Sequence, residues 1–296
     1  MKIAIFGRIT DNTDLSVLTR FFEYLKKRKI TYTIYHAYAQ QLSEYYREAF
    51  NFSGESVFTS REEVKSCKFL YCFGGDGTVL EAVRFCGRLG KPIMGVNFGR
   101  LGYLTSISQH HLLSATEELL QDHYKIDHRS LLTVVSDPPG MFGADNFGIN
   151  DFTIHKSNTN EMITVHTYIN GEFLNSYWGD GIIVATPTGS TAYSLSCGGP
   201  IMFPNSATFA ITPVAPHSLT VRPVVISDES VVSFEIESRS GEAMISLDTR
   251  TITVKAKTSI AVRKAAFTVS LLRMSKTKYV DNLRRSLMWG RDNRNS

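Results

Sequence analysis

Hydrophobic and polar residues alternate differently in the two halves of the chain. Over residues 1–128, short apolar runs such as KIAIFG, TYTIYH, FLYCF and KPIMGVN are separated by stretches with helical spacing. One such stretch follows Asp14, a favoured N-cap, and its apolar residues Leu15, Leu18 and Phe22 recur every three or four positions. Strands that alternate with helices predict parallel β-α-β units, and therefore an α/β domain.

The pattern changes near Ser130, where one strand-like segment begins to follow another. These segments include LLTVV, DFTIH, ITVHTYI, GIIVAT, PVVI, VVSFEI, AMISL, TITVKA, SIAVRK and FTVSLL. Asn170-Gly171, between two of them, is a strong signal for a type I′ hairpin. The second half therefore predicts an all-β domain.

Composition narrows the class of protein. The chain has 296 residues, 43% hydrophobic and 20% charged, enough for two domains with cores of their own. A net charge of +4 favours anionic ligands but is too weak for a nucleic-acid-binding surface. The four cysteines include no CxxC pair, which argues against a zinc site and favours a reducing compartment. With no secretory-type start and no long apolar run, we expect a cytoplasmic protein with no membrane or nucleic-acid partner.

The first chemical signal is Gly74-Gly75-Asp76-Gly77-Thr78, where FLYCF ends and a helix begins. Glycines at the carboxyl end of a parallel strand let the backbone approach a ligand, and a helix N-terminus offers amide groups to phosphate. Asp76 would repel phosphate, so its chemistry is to accept a proton from a hydroxyl or to hold magnesium beside the phosphates. The structural alternative is that Asp76 only caps the helix.

A second signal is Thr-Pro-Thr-Gly-Ser-Thr-Ala-Tyr at residues 186–193, after an apolar strand. Short hydroxyl side chains around a tight turn predict a surface of hydrogen-bond donors suited to ribose hydroxyls and a diphosphate, and Tyr193 adds a flat face for a ring. The alternative is a plain Ser/Thr-rich loop. Two weaker signals are the segment 97–103, with the alternative of a turn with an anchored aromatic, and the pair Asn150-Asp151, with the alternative of an Asx turn.

Taken together, these motifs resemble those of the NAD kinase family, in the same order along nearly the whole chain. GGDGT or a close relative of it also occurs in lipid kinases and phosphofructokinases, so the long string at 186–193 makes the resemblance specific. The matching segments are 74–78, 97–103, 150–151, 180–181, 186–193, Pro-His-Ser-Leu at 216–219 and the tail LRRSLMWG at 283–290.

The resemblance implies an enzyme that transfers the γ-phosphate of ATP to the 2′-hydroxyl of the adenosine ribose of NAD, giving NADP, with Mg or Mn as divalent cation. It implies a Rossmann-like α/β domain (1–128) and a β-sandwich domain (129–271), with the active site between them. The tail (272–296) is expected to pack back on the first domain, and the chain to form a homo-oligomer, a dimer or tetramer. Basic residues between 84 and 100 are the candidates for the donor phosphates.

Site residues follow from the resemblance position by position. Asp76 is the implied catalytic carboxylate; Mg is held mainly by ATP, and Asp76 is the one candidate protein contact for it. Gly77 lies against the ribose, Tyr103 faces the adenine, and Asp180 meets the nicotinamide amide. The residues implied to bind NAD are Gly75, Gly77, Thr78, Asn97, Tyr103, Asn150, Asp151, Asp180, Thr188, Thr191, Ala192, Tyr193 and Ser196.

The chain departs from the family pattern at two places. Asp248-Thr249 stands where the family has Asp-Gly in a turn, and we expect the Cβ of Thr249 to shift this turn and weaken any contact from Asp248. Asn150-Asp151 replaces the commoner Asn-Glu, which shortens the reach of the acid. Two rival functions remain: a diacylglycerol-type lipid kinase, which needs an apolar acyl pocket, and a non-catalytic NAD-binding sensor, which does not need Asp76 in its glycine frame.

Overall fold

A computed structural model describes residues 1–46, 50, 52, 57–99, 102–105, 107–275 and 278–288. Arg100 and Leu101 of the 97–103 motif, and Trp289 and Gly290 of the tail motif, lie outside the described residues. The chain divides into two compact units. The first comprises Met1–His128 and Val269–Ser296, and the second comprises Arg129–Thr268.

The first unit is built on an eight-stranded sheet, as the alternating pattern predicts. Its strands are β1 (Lys2–Gly7), β2 (Thr31–Tyr35), β3 (Val57–Phe58), β4 (Phe69–Gly74), β5 (Ile93–Asn97), β6 (Ile107–Ser108), β7 (Tyr124–Arg129) and β20 (Val269–Met274). The strand order is β3-β2-β1-β4-β5-β20-β7, and β6 pairs with β5. Strands β1 to β6 and β20 join in parallel pairs, which brings the carboxyl ends of β1, β4 and β5 to one edge.

Helices of the first unit follow the apolar spacing of the sequence. They are α1 (Leu15–Lys27), α2 (His36–Tyr45), α3 (Asp76–Cys86), α4 (Leu112–Leu120) and α6 (Tyr279–Ser286). Asp14 caps α1 as predicted, because its Oδ1 accepts a 2.9 Å bond from the amide of Ser16. Leu18 and Phe21 are fully buried, each worth about 1.5–3 kcal/mol of transfer free energy. No helix in the described part of the chain is long and apolar enough to cross a membrane.

The second unit is a sandwich of two six-stranded antiparallel sheets. Its strands are β8 (Leu132–Asp137), β9 (Phe147–Gly148), β10 (Asp151–Lys156), β11 (Ile163–Ile169), β12 (Glu172–Gly179), β13 (Gly181–Ala185), β14 (Thr208–Val214), β15 (Val224–Ser227), β16 (Val232–Glu237), β17 (Glu242–Leu247), β18 (Arg250–Lys255) and β19 (Ser259–Lys264). The sheet orders are β15-β14-β13-β10-β17-β18 and β12-β11-β16-β19-β8-β9. A short helix, α5 (Tyr193–Ser196), follows β13.

The core of the sandwich lies between its two sheets. Phe152 from one sheet and Phe234 from the other have ring centroids 5.9 Å apart, in an apolar cluster drawn from both. Asn170 and Gly171 have φ values of 52° and 86°, which confirms the predicted hairpin between β11 and β12.

One strand belongs to a different sheet from the one its sequence neighbours suggest. FTVSLL follows the strands of the all-β half, but β20 pairs with β5 through Leu271 and Ile93 in the first sheet. Five of its six residues are buried, without the alternation of a half-exposed strand. Continuous burial is typical of a strand covered on both faces in a parallel sheet.

Candidate active site

The glycine-rich motif lies at the carboxyl edge of the first sheet. β4 ends at Gly74, Gly75 is the N-cap of α3, and Asp76 is the first helical residue. The neighbouring strands end level with it, since Phe73 pairs with Gly7 of β1 and Gly74 pairs with Asn97 of β5. This is the edge at which open α/β sheets bind ligands.

The carboxylate of Asp76 is held by four donors from the loop after β5. Its Oδ1 accepts from the amides of Leu104 (3.0 Å) and Thr105 (2.9 Å) and from Oγ1 of Thr105 (2.9 Å), and its Oδ2 accepts from the amide of Tyr103 (2.7 Å). Gly75, not Asp76, is the N-cap, and it makes no side-chain cap bond. Asp76 therefore fixes the loop to the start of α3 rather than capping the helix, and the side chain stays partly exposed.

Gly102 makes this contact possible. A Cβ on Gly102 would lie only 2.1 Å from Oδ1 of Asp76, so a side chain there would push the loop or the carboxylate away. Asn97 braces the same loop: its Nδ2 donates to Oγ1 of Thr105 at 2.8 Å, and its Oδ1 accepts from the amide of Gly99 at 2.7 Å. Asn97 is only 3% exposed, and both of these hydrogen bonds of its side-chain amide lie within the protein.

The rest of the predicted site in this unit lies around the start of α3. A Cβ added to Gly75 or Gly77 would meet nothing within 4 Å, so open space faces both glycines. Thr78 is buried beneath them. Tyr103 is partly exposed; burial raises the pKa of its phenol, and Tyr279 and Asp76 add to the effect.

In the second unit, two turns meet the chain that leads into β10. Asp151, the first residue of β10, pairs with Ala185, the last residue of β13. On the other side of β10, Asp248 follows β17 directly, and its amide donates to the carbonyl of Asp151 at 3.0 Å. The turns after β13 and β17 therefore both contact residues 149–151.

Asp248 binds the backbone of this segment. Its Oδ1 accepts from the amides of Asn150 (2.9 Å) and Asp151 (3.2 Å), and its Oδ2 accepts from the amide of Ile149 (3.0 Å). The expected weakening of its contacts by Thr249 is wrong. Asp248 itself adopts the left-handed conformation, with φ of 52°, so the Cβ of Thr249 does not occupy the strained position.

Asp151 is a buried acid beside this second carboxylate. Only 7% of the residue is exposed. Burial, the larger cause, and the nearby charge of Asp248 together raise the pKa of the Asp151 carboxyl to about 7. Burial also raises the pKa of Asp248, against the three amide bonds that lower it. Among the described residues, no donor reaches the side chain of Asp151.

The hydroxyl-rich turn lies against Asn150. The amide of Thr186 donates to the carbonyl of Asn150 at 2.9 Å, and the amide of Gly189 donates to Oγ1 of Thr186 at 3.1 Å. A Cβ on Gly189 would lie 2.0 Å from that same carbonyl, so the turn depends on a glycine for this close approach. The Asn150 side chain is left half-buried beside the turn.

Most hydroxyls of this turn face inward, which corrects one expectation from the sequence. Oγ of Ser190 donates to the carbonyl of Pro187 at 2.7 Å, Oγ of Ser194 bonds with Oγ1 of Thr212 at 2.8 Å, and all three hydroxyl residues are buried. The predicted surface of ligand-facing donors is therefore wrong for Ser190. The Ser190 hydroxyl instead serves the backbone of the turn, because it also accepts from the amide of Met202 at 3.0 Å.

Tyr193 presents the exposed aromatic face that the sequence predicts. It is 41% exposed, and its ring stacks on His155 with centroids 5.6 Å apart and planes at 21°. Burial lowers the pKa of His155. Asp180 lies close enough to influence both rings and pairs with Lys156, Oδ1 to Nζ, at 2.7 Å.

The remaining predicted residues of this unit differ in exposure. Thr188 is buried, and its carbonyl accepts from Oγ1 of Thr191 at 3.2 Å. Thr191 and Ala192 are half-buried, and Ser196 on α5 is exposed. Each unit thus gathers its own share of the predicted residues around a turn at the end of a strand.

Sequence reasoning missed several residues that shape these sites. Thr105 binds Asp76 and Gly102 leaves room for the contact, yet neither carries a recognisable local pattern. His155 could have been found, because Asp151 and His155 are four residues apart on one strand and therefore on one face. Lys156, the partner of Asp180, adjoins Asp180 only through strand pairing.

Comparison with known proteins covers almost the whole chain. The family model for the ATP-NAD kinase N-terminal domain matches residues 3–124, and that for the ATP-NAD kinase C-terminal domain matches residues 149–274. An NAD kinase of Cytophaga hutchinsonii is 39% identical over 295 residues, covering 100% of both chains.

Two solved structures share the fold. A yeast NADH kinase complexed with NADH superposes with a TM-score of 0.84 at 22% identity, over 100% of this chain and 90% of that one. An NAD kinase from Archaeoglobus fulgidus in complex with ATP gives 0.75 at 23% identity, over 97% and 99%. The prediction of an α/β domain followed by a β-sandwich domain is confirmed.

Proposed function

The chain belongs to the NAD kinase family, and from that premise we propose how its own residues act. Its reaction is the transfer of the γ-phosphate of ATP to the 2′-hydroxyl of the adenosine ribose of NAD, which yields NADP and ADP. The observation that carries the residue assignment is the Asp76 carboxylate, fixed by four donors at the carboxyl edge of the sheet.

Asp76 acts as the general base. As the 2′-oxygen forms its bond to the γ-phosphorus, the bond from that phosphorus to the bridging oxygen of ADP breaks, and the hydroxyl proton passes to Asp76. Oδ1 already accepts three bonds, whereas Oδ2 accepts one, so Oδ2 is the oxygen with room for the proton. A carboxylate so placed contributes about 10²- to 10⁴-fold to the rate.

Residues predicted to bind NAD occur in each unit and are assigned here unit by unit. Gly75, Gly77 and Thr78 line the open space at the start of α3, Tyr103 stacks on the adenine, and Asn97 acts through the loop that it braces. In the second unit, Asn150 and Asp151 accept bonds from ribose hydroxyls, and Asp180 meets the nicotinamide amide. Thr188 is also assigned to NAD, and the residues assigned to the adenine side are Thr191, Ala192, Tyr193 and Ser196.

The state of Asp151 supports its role. A buried carboxyl without a donor is costly in its ionised form, and a hydroxyl that donates to it would relieve part of that cost. A ribose hydroxyl is such a donor. Asp248 fixes the backbone of this segment through three amide bonds, so Asp151 is held in place for such a donor.

A divalent cation, Mg or Mn, accompanies the donor. Bound to the phosphates, it would neutralise the charge that develops during transfer. Within the described ranges, no three His, Cys, Asp or Glu side chains are gathered as a metal site, and Asp76 already accepts four bonds. The protein residues therefore fit a cation held mainly by ATP, with at most Oδ2 of Asp76 as a protein contact.

We further propose that the chain works as a homo-oligomer, a dimer or tetramer, in the cytoplasm. Exposed apolar side chains on the second unit support assembly: Phe203 is 57% exposed and Leu219 is 88% exposed, the latter within the Pro-His-Ser-Leu motif. All four cysteines are free thiols, which supports a reducing compartment. Light scattering on the purified protein measures the oligomeric state directly.

An assay for the product tests the activity. The purified protein is incubated with NAD, Mg²⁺ and ATP, and NADP is measured with an NADP-specific dehydrogenase; parallel reactions replace ATP by GTP or polyphosphate, and NAD by diacylglycerol. We expect NADP from ATP and NAD and no phosphorylated lipid. Phosphorylated diacylglycerol without NADP would favour a lipid kinase, and NAD binding without turnover would favour a sensor.

A further inference from the structure

Tyr193 is held in place at two points. Its backbone is anchored through the next residue, because Oγ of Ser194 bonds with Oγ1 of Thr212 on β14 at 2.8 Å. The carbonyl of Ser194 also accepts from the amide of Gly199 at 2.8 Å. The Tyr193 ring lies on the imidazole of His155, with centroids 5.6 Å apart and planes at 21°. The first anchor fixes the backbone of α5, and the second sets the direction of the side chain.

Strand pairing leaves room for the imidazole of His155. This residue lies on β10 and pairs with Gly181 of β13. A Cβ on Gly181 would lie 2.1 Å from the carbonyl of Ile154, so the two strands approach too closely here for a residue with a side chain. No side chain at position 181 therefore competes with the imidazole for the space that the Tyr193 ring covers.

His155 shares a face of β10 with the acid proposed to bind the ribose. Asp151, Thr153 and His155 alternate along the strand, and alternate residues of a strand point to the same side of its sheet. Asp151 and His155 are four residues apart, which corresponds to about 13 Å along the strand. One face of β10 thus carries a buried acid near one end and the support of an aromatic ring near the other.

The imidazole stacks as a neutral ring. Burial lowers the pKa of His155, Asp180 raises it and Lys156 lowers it, so the ring is uncharged at neutral pH. Asp180 and Lys156 pair with each other, Oδ1 to Nζ at 2.7 Å, so the two charges that face the imidazole offset one another. The stack is therefore a contact between two aromatic faces, which a phenyl ring in place of the imidazole would preserve.

The opposite face of the Tyr193 ring is open. His155 covers one face, and 41% of the residue nevertheless remains exposed. An exposed aromatic ring is a surface on which any nucleobase can stack. Because the orientation of this ring is already set, little side-chain entropy is lost when a base binds to it.

We propose that His155 is a positioning residue for NAD, because its imidazole holds the Tyr193 ring in the orientation that stacks on the adenine. The inference rests on the proposed function, since it takes NAD as the ligand and Tyr193 as a contact of its adenine. His155 acts through Tyr193 and not on the reacting atoms. Loss of the imidazole should therefore weaken NAD binding and leave the transfer of phosphate unchanged.

The test compares His155→Ala and His155→Phe with His166→Ala, which changes a half-buried histidine on β11 in the other sheet of the sandwich. Calorimetry gives Kd for NAD, the NADP assay gives KM for NAD and kcat, and the melting temperature of each variant is recorded. His155→Ala is expected to raise Kd and KM for NAD about 3- to 10-fold, the strength of an aromatic pair, with kcat unchanged. His155→Phe is expected to stay within about twofold of the wild-type Kd because it keeps the stack, and His166→Ala is expected to match wild type.

A double-mutant cycle assigns the effect to the pair of rings. Tyr193→Ala alone is expected to weaken NAD binding about 5- to 100-fold, the loss of one base–aromatic stack. His155→Ala added to Tyr193→Ala should cause no further loss, since the ring that the imidazole supports is gone.

Other results overturn the inference. A wild-type Kd for NAD in His155→Ala would remove His155 from NAD recognition, and an equal loss in His155→Phe would show that the stack is not what matters. A full further loss in the double variant, or a fall in kcat with unchanged Kd, would give His155 a role that does not pass through Tyr193. If the wild-type protein binds NAD but makes no NADP, the proposed function fails, and calorimetry of the variants still decides the role of His155; if it binds no NAD, both fail.

Discussion

Two carboxyl groups of the proposed site have opposite surroundings. Asp76, in the α/β unit, is partly exposed and accepts four hydrogen bonds from one loop. Asp151, in the sandwich, is 7% exposed, lies beside the Asp248 carboxylate and receives no donor from the described residues. The first acid has its partners before any ligand arrives, whereas the second has none.

The contrast separates two uses of an acid. Backbone amides that converge on Asp76 fix its position, so the group is preorganised to meet a hydroxyl without rearrangement. Asp151 is poised differently, because burial makes its ionised form costly until a donor is supplied. We therefore assign the first to the reacting hydroxyl and the second to recognition, and the predictions below test this division.

The largest effect is expected from Asp76→Asn. Loss of the proton acceptor should lower kcat by about 10²- to 10⁴-fold. The side-chain NH₂ of the new Asn, at the position of Oδ2, would also face the backbone N–H of Tyr103, and two donors would then meet. We therefore expect the free energy of unfolding to fall by about 1–3 kcal/mol. Steady-state kinetics measures the first effect, and urea unfolding measures the second.

Thr105→Val is the control for Asp76→Asn. It removes one donor to Oδ1 and the partner of Asn97 but keeps the carboxylate, so kcat should fall by less than about tenfold. Equal kcat losses in the two variants would make Asp76 a support of the loop and not a base.

The next effect concerns the pH dependence of stability. Asp151 has a pKa of about 7 in the folded chain and an ordinary value of 3.8, so between about pH 4 and pH 7 the folded state keeps a proton that the unfolded state has lost. Unfolding therefore becomes easier as pH rises through this window. Between pH 5 and pH 8 this pH dependence amounts to about 2.7 kcal/mol, which Asp151→Asn should remove, as measured by urea unfolding at these two pH values.

Asp248 provides the second arm of the pH experiment. Asp248→Asn removes the neighbouring charge, so the folded-state pKa of Asp151 should fall, and the stability loss should end at lower pH and be smaller. The amide oxygen of the new side chain keeps an acceptor for the segment 149–151. An unchanged pH profile in both variants would show that Asp151 does not titrate in this window.

The fold was largely predictable because its signals are local. Apolar spacing marks α1 and its cap, and the Asn170-Gly171 pair marks a hairpin that both residues complete with positive φ. The strand β20 was not predictable from its neighbours, since pairing with β5 joins positions far apart in sequence. Its continuous apolar run was the available signal for a parallel sheet.

The candidate site was predictable in its residues but not in their partners. Asp76 stands out among glycines, yet nothing in Gly102 or Thr105 predicts that their loop binds it. Asp248 was expected to lose contacts because Thr249 replaces glycine, and it keeps three because the left-handed conformation falls on Asp248. Such contacts depend on backbone geometry between distant segments, which residue types alone do not encode.

The smallest effect, and the sharpest test of preorganisation at Asp76, comes from Gly102→Ala. Its Cβ would lie 2.1 Å from Oδ1 of Asp76, so the loop and the carboxylate must separate. We expect the free energy of unfolding to fall by about 1–3 kcal/mol and the activation barrier behind kcat to rise by a similar amount. Gly99→Ala is the matched control in the same loop, because its Cβ would meet only Nδ2 of Asn12 at 3.6 Å, an ordinary contact. Wild-type kcat in Gly102→Ala would mean that the four bonds to Asp76 matter for folding and not for phosphate transfer, and the division between the two acids would then lose its basis.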